Sequence, residues 1–339
     1  MVIVGLLVAL CAAAPRARAI PQDQESADSQ ASGFVEWLSG VRADALARGI
    51  RQEVLDEALG GLDATLPVVL ERDRSQAEVV LPLETYIARR TTPAIVRTGR
   101  QMLARHRTVL TNVSRTYGVP ASIIVSIWGI ESNFGRFTGI RPTIAALATL
   151  AWDPRRASFF REELLKALEI LNKGDIELAD MRGSWAGAMG QPQFLPSSYL
   201  QYAVDFDGDG RRDIWRSQAD VFASVANYLR GYGWVAGNRW GRDVSLAPGA
   251  ARPAAALDRR EGTCQAKRDM TVRRPLAEWQ RFGVRLPGGA SLPEAPIEAS
   301  LVSGASRHFL VYDNYDALLG YNCAHAYALS VALLAERIG

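Results

Sequence analysis

Apolar residues recur at three- and four-residue spacing through most of the chain, and this is the period of amphipathic helices. The pattern predicts helices over 34–49, 51–62, 95–117, 143–151, 157–172, 218–232 and 323–338. Shorter stretches at 269–274 and 308–313 favour strands instead. We therefore expect a mainly α protein that carries a small β-containing part.

These elements suggest a division of the 339-residue chain into four folded parts. We expect an N-terminal helical lobe over 34–118 and a core over 119–240. A β-containing insertion follows over 241–304, where Pro, Gly and Arg increase, and residues 305–339 return to the core. The polar residues 20–33 are predicted to be a disordered linker.

The N-terminal residues 1–19 have the features of an export signal. An apolar run over 2–14, too short to span a bilayer as a mature helix, precedes the small-x-small pattern Ala17-Arg18-Ala19. A buried N-terminal helix is the alternative. A lipid anchor at Cys11 is less favoured, because Leu10 is large where lipidation requires a small residue. No later stretch is hydrophobic enough to be a transmembrane segment.

Composition narrows the function classes only slightly. Hydrophobic residues make up 48% and charged residues 22%, as in an ordinary globular protein. A net charge of +3, spread without a basic run, gives no reason to expect nucleic acid as a partner. After signal removal only Cys264 and Cys323 remain, and they are compatible with either a disulfide or two free thiols.

Glu131 is the first candidate for chemistry. It lies where an apolar helix pattern ends near Asn133 and Gly135. Burial and the negative end of the helix dipole both disfavour a charged carboxyl, so both raise its pKa. A general acid working near neutral pH needs such a pKa. A structural glutamate at a helix end is the alternative. The apolar residues around it are Ile123, Ile124, Ile127, Trp128 and Ile130.

A second candidate is the glycine-rich segment 183–199, "GSWAGAMGQPQFLPSSY". Its glycines allow close approach of the backbone to a ligand or to another helix. Neutral polar side chains alternate with the flat faces of Trp185 and Phe194, which suits a sugar ring. A packing loop is the alternative. The polar side chains are those of Gln193, Ser197, Ser198 and Tyr199.

The segment "DFDGDGRRD" that follows resembles the first half of an EF-hand loop. It places Asp205, Asp207 and Asp209 on alternate residues, with Gly210 at the turn position and the Arg211 carbonyl next. Arg216 stands where a bidentate Glu is expected, so we predict that Asp220 replaces it. Ca²⁺ is the predicted occupant, and a solvated acidic turn is the alternative.

Near the C-terminus, Tyr321, Asn322 and Tyr327 lie at the opening of the last predicted helix. Polar side chains there can be presented to a ligand from a rigid element. A Tyr-Asn pair at a helix start also serves as a cap, and the residues alone do not separate these roles.

Taken together, these segments resemble the lytic murein transglycosylase B family, glycoside hydrolase family 103, whose catalytic domain has the lysozyme-like fold. The likeness runs from about Phe34 to the C-terminus. It depends on "DRSQAEVVLPLETYI", "ALATLAWDPRRASFFREEL", "SVANYL" and "YNCAHAYA" as well as on the segments described above. Cys323 departs from the family pattern, which often has Ser there.

The resemblance implies a lysozyme-like transglycosylase core with a single catalytic carboxylate, Glu131. It would cleave the bond between N-acetylmuramic acid (MurNAc) and N-acetylglucosamine (GlcNAc) in peptidoglycan and form a 1,6-anhydro ring, in the periplasm. A hydrolase of the same fold and a non-catalytic, calcium-stabilised glycan-binding protein are the alternatives. Other cell-wall enzymes are further candidate partners, and no organic cofactor is expected. The residues implied to line the sugar cleft are Ser184, Gln193, Tyr228, Tyr321, Asn322, Tyr327 and Tyr86.

Overall fold

The computed structural model describes residues 22–75, 81–247, 249 and 256–339. The predicted export signal over 1–19 and Cys11 lie outside these residues. As predicted, the described chain is mainly helical, with two small antiparallel sheets.

The predicted N-terminal helices at 34–49 and 51–62 are confirmed, although the first begins earlier. It starts at Gln22, inside the segment predicted to be a disordered linker, so that prediction is wrong from this residue onward. A helix anchored by buried Phe34 can extend through polar residues that are compatible with helical backbone. The first four helices are α1 (Gln22–Ala47), α2 (Gln52–Leu59), α3 (Pro67–Ser75) and α4 (Leu83–Arg90).

The single helix predicted over 95–117 is two helices, α5 (Pro93–Arg105) and α6 (Arg107–Tyr117). They meet at His106, which has non-helical dihedrals of φ −105 and ψ 21. Its ring packs edge-on against Trp128 and Phe222, at 5.6 and 5.4 Å between ring centroids. No Gly or Pro marks the break, so tertiary packing decides it.

The core is built around α7 (Ala121–Ser132), a helix that is buried on most of its surface. It packs against α5, α6, a later helix and the last helix of the chain. The predicted helices at 143–151, 157–172, 218–232 and 323–338 are confirmed within two residues at each end. The remaining core helices are α8 (Thr143–Trp152), α9 (Ala157–Lys173), α10 (Pro196–Tyr202), α11 (Gln218–Gly231), α14 (Asp313–Tyr321) and α15 (His325–Ile338).

The two sheets are antiparallel. The smaller one pairs β1 (Arg141–Pro142) with β2 (Arg182–Gly183), close to the end of α7. The larger one has the order β4-β6-β7-β3-β5 and its own apolar cluster around Trp279. Its strands are β3 (Gly241–Leu246), β4 (Arg274–Pro275), β5 (Val284–Arg285), β6 (Glu298–Ser303) and β7 (His308–Val311).

The strand predicted at 308–313 is confirmed as β7, which lies just beyond the predicted insertion. The strand predicted at 269–274 is mostly wrong. There Asp269 ends a short helix, α12 (Gln265–Asp269), and only Arg274 enters a strand. Another short helix, α13 (Leu276–Arg281), packs under the sheet. The boundaries of the four predicted parts stay a prediction.

One disulfide joins this β-containing part to the core. Cys264, at the start of α12, is bonded to Cys323, just before α15, with the Cα atoms 5.7 Å apart. This confirms the bridge and removes the alternative of two free thiols.

None of the described helices is by itself long and apolar enough to cross a bilayer. The helices α14 and α15 reach that length and composition only together, across a bend of 116°.

Candidate active site

Glu131 lies in the last turn of α7, where the helix ends. The chain leaves the helix because Asn133 takes the left-handed conformation, φ 50, and donates its N–H to the carbonyl of Trp128. Glu131 itself is only partly exposed, although it is surrounded by dense protein. A carboxyl group is therefore held inside the core with one side open to solvent.

The surroundings raise the pKa of Glu131 from 4.5 to about 7. Burial is the main cause, since it penalises the charged form. A hydrogen-bonding interaction with Tyr327 and the positive charge of Arg90 act in the opposite direction. The carboxyl is thus close to half protonated at neutral pH, as the sequence led us to expect.

Three further helices bring groups around this carboxyl. Tyr86 and Arg90 come from α4, Tyr321 from the end of α14 and Tyr327 from α15. Burial is the main cause of the raised pKa of both Tyr321 and Tyr327, the Glu131 charge raises both further, and Tyr86 adds to the effect on Tyr327. The guanidinium of Arg90 lies over the Tyr86 ring, 5.4 Å from its centroid. Arg90 was missed from the sequence, because one exposed arginine in "YIARR" carries no pattern.

Three of the four predicted tyrosines of the cleft differ in what their hydroxyls do. Tyr321 donates to the carbonyl of Pro192 at 2.7 Å, and Tyr228 donates to the carbonyl of Gly320 at 2.9 Å. The Tyr327 hydroxyl is buried and makes no fully formed hydrogen bond within the described part of the chain. Tyr327 is therefore the phenol with hydrogen-bonding capacity left beside Glu131.

The rings of these tyrosines form one wall. Phe194, Tyr228, Tyr321 and Tyr327 succeed one another with centroids 4.6 to 6.1 Å apart. The neighbouring Asn322 is exposed, and its side-chain amide has no partner among the described residues. Of the predicted cleft residues, Asn322 is the one whose donors and acceptor are free for a ligand.

Ser184 and Gln193 hold the glycine-rich segment in shape. The Ser184 hydroxyl accepts hydrogen bonds from the N–H groups of Ala186 and Ala188, at 3.2 and 3.1 Å. Gln193, at φ 55, donates its amide to the carbonyls of Gly190 and Thr138. Both side chains thus hold the backbone of the glycine-rich segment, and the Ser184 hydroxyl keeps its own proton to donate.

Gln191 is a second residue that sequence reasoning missed. It is buried, accepts a hydrogen bond from the Trp128 indole at 2.7 Å and donates one to the carbonyl of Trp215 at 2.7 Å. One side chain therefore connects the helix of Glu131, the glycine-rich segment and the end of the acidic loop. A glutamine beside a proline gave no signal that separated it from Gln193.

The acidic loop brings three of its predicted ligands together. Carboxylate oxygens of Asp205, Asp207 and Asp209 all lie within 4.8 Å of one another. Backbone N–H groups fold the loop around them, for example those of Gly208 and Gly210 onto Asp205 at 2.7 and 2.9 Å. None of the three carboxylates forms an ion pair with a described residue.

Asp220 lies outside this group of three, and its role as a ligand stays a prediction. It is fully buried, and its two oxygens accept hydrogen bonds from the N–H groups of Phe206 and Asp213, at 2.7 and 2.8 Å. Burial raises its pKa to about 6. Asp220 thus anchors the loop from the start of α11. The Arg211 N–H bonds to Asp209, and the Arg211 carbonyl remains a predicted ligand.

Known proteins share this architecture. The transglycosylase SLT domain model matches residues 33–336. Membrane-bound lytic murein transglycosylase B of Escherichia coli K12 is 43% identical over 149 residues, which are 44% of this chain and 41% of that protein. The match thus spans less than half of that relative.

The solved structures of two relatives align with most of this chain. SltB3 from Pseudomonas aeruginosa, in complex with NAG-NAM-pentapeptide, has a TM-score of 0.82 and 44% identity, over 89% of this chain and 79% of its own. The same protein is known with NAG-anhNAM-pentapeptide. The E. coli lytic transglycosylase Slt35, in complex with calcium, has a TM-score of 0.72 and 29% identity, over 92% and 93%.

The predicted fold and resemblance are confirmed by these similarities. The chain belongs to the transglycosylase SLT domain family and has the fold of the lysozyme-like lytic transglycosylases.

Proposed function

We propose that the protein is a lytic transglycosylase that cleaves the β-1,4 bond between MurNAc and GlcNAc in peptidoglycan and leaves 1,6-anhydro-MurNAc ends. The observation that carries this proposal is the partly exposed carboxyl of Glu131, whose pKa is raised to about 7 beside Tyr321 and Tyr327. The ligands of SltB3, NAG-NAM-pentapeptide and NAG-anhNAM-pentapeptide, support this substrate class.

In the first step, neutral Glu131 donates its proton to the glycosidic oxygen as the bond from C1 of MurNAc to that oxygen breaks. GlcNAc leaves with a new hydroxyl, and positive charge develops at C1. The raised pKa keeps enough of the acid protonated near neutral pH for this step. The Tyr327 hydroxyl interacts with the carboxylate left behind and so stabilises it.

In the second step, the Glu131 carboxylate takes the proton of the C6 hydroxyl of the same MurNAc, and that oxygen bonds to C1. The 1,6-anhydro ring closes and Glu131 is protonated again, so the balance needs neither water nor a second carboxyl. A hydrolase of this fold uses two carboxyl groups, the second to hold water or to attack C1. No carboxylate among the described residues is close enough to Glu131 to shift its pKa.

We assign the remaining cleft residues to sugar binding and to support. Asn322 offers a free side-chain amide, and the buried Tyr327 hydroxyl holds the Glu131 carboxylate. The partly exposed ring of Tyr321, packed on the buried ring of Tyr228, gives a face against which a sugar can pack. Ser184 and Gln193 shape the glycine-rich loop and offer further contacts at its surface, and Tyr86 closes the side formed by α4.

The products test this function. Purified sacculi are digested with the protein in water enriched in ¹⁸O, and the released muropeptides are analysed by mass spectrometry. A transglycosylase gives anhydro ends without ¹⁸O. Reducing ends that contain ¹⁸O would identify the protein as a hydrolase instead. If the protein binds sacculi but releases no muropeptides, it is the non-catalytic glycan-binding protein.

We also propose that the acidic loop holds one Ca²⁺ through Asp205, Asp207, Asp209 and the Arg211 carbonyl, with Asp220 as a fifth candidate ligand. Three uncompensated carboxylates within 4.8 Å repel one another, and a hard cation removes that repulsion. The E. coli Slt35 structure in complex with calcium supports the choice of ion. The ion would hold the loop that follows the glycine-rich segment and would supply no chemistry to Glu131.

Calcium should therefore stabilise the folded chain. An ion that binds only the native state at a hundred times its Kd adds about 2.7 kcal/mol. We expect Ca²⁺ to raise the melting temperature of the wild type and of the matched control E53Q/E57Q on α2, and not of D207N/D209N. An equal response from D207N/D209N would remove the ion from this loop.

Export to the periplasm is the last part of the proposal. It is supported by the signal pattern over 1–19 and by the location of the proposed substrate outside the cytoplasm. N-terminal sequencing of the protein from the producing cell should show a chain that begins near Ile20, whereas an intact Met1 or a lipid on Cys11 would contradict it.

A further inference from the structure

The helices α5 and α6 belong to a stretch of the chain that is strongly basic. Residues 85–130 contain seven arginines and no lysine, aspartate or glutamate, so their formal charge is +7. The whole chain has a net charge of only +3, and the rest of it is therefore net acidic. These arginines are not consecutive, so the fold decides whether their charges act together.

Both helices expose their arginines on one side. In α5, Arg97 and Arg105 are exposed and lie two four-residue steps apart, which places them on the same face of the helix. In α6, Arg107 and Arg115 are exposed and repeat this spacing. Arg100 in α5 is exposed as well. We call these five residues the basic face: Arg97, Arg100, Arg105, Arg107 and Arg115.

Contacts on the inner side of the two helices hold the basic face in place. The Arg100 guanidinium donates two hydrogen bonds to the carbonyl of Arg337, at 3.0 and 2.7 Å, and so joins α5 to the end of α15. Between α5 and α6, the His106 ring packs against Trp128 and Phe222. The two helices therefore keep a fixed orientation relative to each other and to the core.

The carboxylates of the neighbouring helices do not neutralise these charges. The helices α7, α11 and α15 pack against α5 and α6, and each contains one acidic residue. Asp220 of α11 is buried and bonded to backbone N–H groups. Glu336 of α15 pairs with Arg239 at 3.2 Å, and Glu131 of α7 belongs to the cleft. Within the described part of the chain, no arginine of the basic face forms an ion pair.

Both ends of the basic face lie far from Glu131. At one end Arg100 is bonded to Arg337, and about 15 Å of helix separates Arg337 from Tyr327 in α15. At the other end Arg115 lies just before the start of α7, whereas Glu131 lies about 15 Å away at the end of that helix. The basic face therefore belongs to a different region of the surface from the cleft.

The dimensions of the basic face favour an extended anionic partner. The helices α5 and α6 have 13 and 11 residues and are about 20 and 16 Å long, which exceeds the Debye length of about 8 Å at physiological salt. A small anion thus meets only one or two of the guanidinium groups, whereas an extended anionic surface meets them all. Neither helix exposes a large apolar side chain that would hold such a surface away. The exposed residues between the arginines are small or uncharged, among them Ala104, Thr108, Thr111, Asn112 and Thr116.

An anionic membrane leaflet has the required density of charge. Each phospholipid headgroup carries a phosphate, and guanidinium groups bind phosphate oxygens through parallel hydrogen bonds. Peptidoglycan carries its carboxylates on every second sugar and on flexible peptides, so they are spaced more widely and match a fixed array of charges less well. We propose that the basic face docks the folded protein onto a leaflet rich in anionic phospholipids. This docking does not depend on the chemistry at Glu131.

Vesicle binding tests the proposal. The protein isolated from the producing cell is sedimented with vesicles of equal parts phosphatidylglycerol and phosphatidylcholine, and with vesicles of phosphatidylcholine alone, at about 0.1 M salt. We expect the wild type to bind the anionic vesicles at least about a hundredfold more tightly than the neutral ones. Raising the salt to about 1 M should release it, because the Debye length then falls to about 3 Å.

Two variants of the basic face separate charge from shape. R97Q/R107Q/R115Q should bind the anionic vesicles about a hundredfold more weakly than the wild type, because each basic residue near such a surface contributes about fivefold. R97K/R107K/R115K keeps the charges and should bind like the wild type. The substituted side chains are exposed and form no hydrogen bond within the described chain, so both variants should keep the melting temperature of the wild type.

The matched control is R72Q/R74Q/R281Q, which removes three exposed arginines outside the basic face and should bind like the wild type. Equal binding of the wild type to both kinds of vesicle would overturn the proposal. So would an equal loss in the control, or no loss in the glutamine variant of the basic face.

A parallel measurement with lipid-free sacculi distinguishes the membrane from the cell wall as partner. It uses the E131Q background, so that the sacculi stay intact. We expect the glutamine variant of the basic face to bind sacculi as tightly as E131Q alone. A loss of sacculus binding without a loss of vesicle binding would assign the basic face to the cell-wall polymer and overturn the proposal. If the wild type cleaves nothing, the proposed function fails, while the vesicle measurement still decides the docking.

Discussion

The raised pKa of Glu131 predicts that the substitution E131Q stabilises the protein, and does so more at pH 8 than at pH 5. Glutamine keeps the shape of the side chain but cannot ionise. In the wild type, the native state is destabilised because it must hold a charged carboxylate among Tyr321, Tyr327 and the end of α7. E131Q removes this cost, so its free energy of unfolding should be higher by the same amount.

The sign follows from the two pKa values. In the unfolded chain the carboxyl ionises near 4.5, and in the native state at about 7. Between these values the native state binds more protons than the unfolded state, so the free energy of unfolding falls as the pH rises. This loss of stability is small below pH 4.5 and complete above about pH 7. A pKa raised from 4.5 to about 7 corresponds to at most about 3 kcal/mol, since Glu131 keeps an exposed side.

Urea unfolding of both chains at pH 5 and pH 8 measures this effect. We expect the stability advantage of E131Q to grow by about 2 kcal/mol between the two pH values. Other titrating groups, Asp220 among them, are present in both chains and cancel in the difference. An advantage that is the same at both pH values would refute the reasoning, because Glu131 would then ionise equally in the folded and unfolded states.

Three further perturbations have expected outcomes. Y327F removes an interaction that lowers the pKa of Glu131, so the loss of activity on the alkaline side should move to higher pH, and a shift to lower pH would contradict this. Q191L leaves the Trp128 indole and the Trp215 carbonyl without partners, and should cost about 2–5 kcal/mol in urea unfolding; a loss below 1 kcal/mol would show that the link is dispensable. C264S/C323S removes a disulfide that closes a separation of 59 residues, and it should lower the free energy of unfolding by about 4 kcal/mol. A much smaller loss would contradict this value and would indicate that the denatured state is already compact.

The sequence predicted best what lies within one continuous segment. The apolar pattern of α7 and the left-handed end at Asn133 are local, so the position of Glu131 and the cause of its raised pKa could both be inferred. The acidic loop was predicted for the same reason, since its ligands are spaced along five residues from Asp205 to Asp209. The family resemblance supplied the cleft residues Tyr86, Tyr228 and Tyr321, whose grouping with Tyr327 no local pattern reveals.

The features that the sequence did not predict depend on contacts between segments that are distant in the chain. Arg90 acts on Glu131 from α4, and Gln191 joins Trp128 to Trp215 across 63 and 24 residues of chain. The break at His106 arises because its ring packs between Trp128 and Phe222. Each error concerns a side chain whose partner is far away in the sequence.

The central claim is that one carboxyl performs both proton transfers. The most direct measurement is the rate at which E131Q releases anhydro-muropeptides from sacculi, beside the wild type and the control E57Q, which changes an exposed glutamate on α2. We predict a loss of at least ~10²-fold for E131Q, from the usual size of acid–base catalysis, with E57Q unchanged and E131Q still folded. Release by E131Q at a rate close to that of the wild type would contradict the claim.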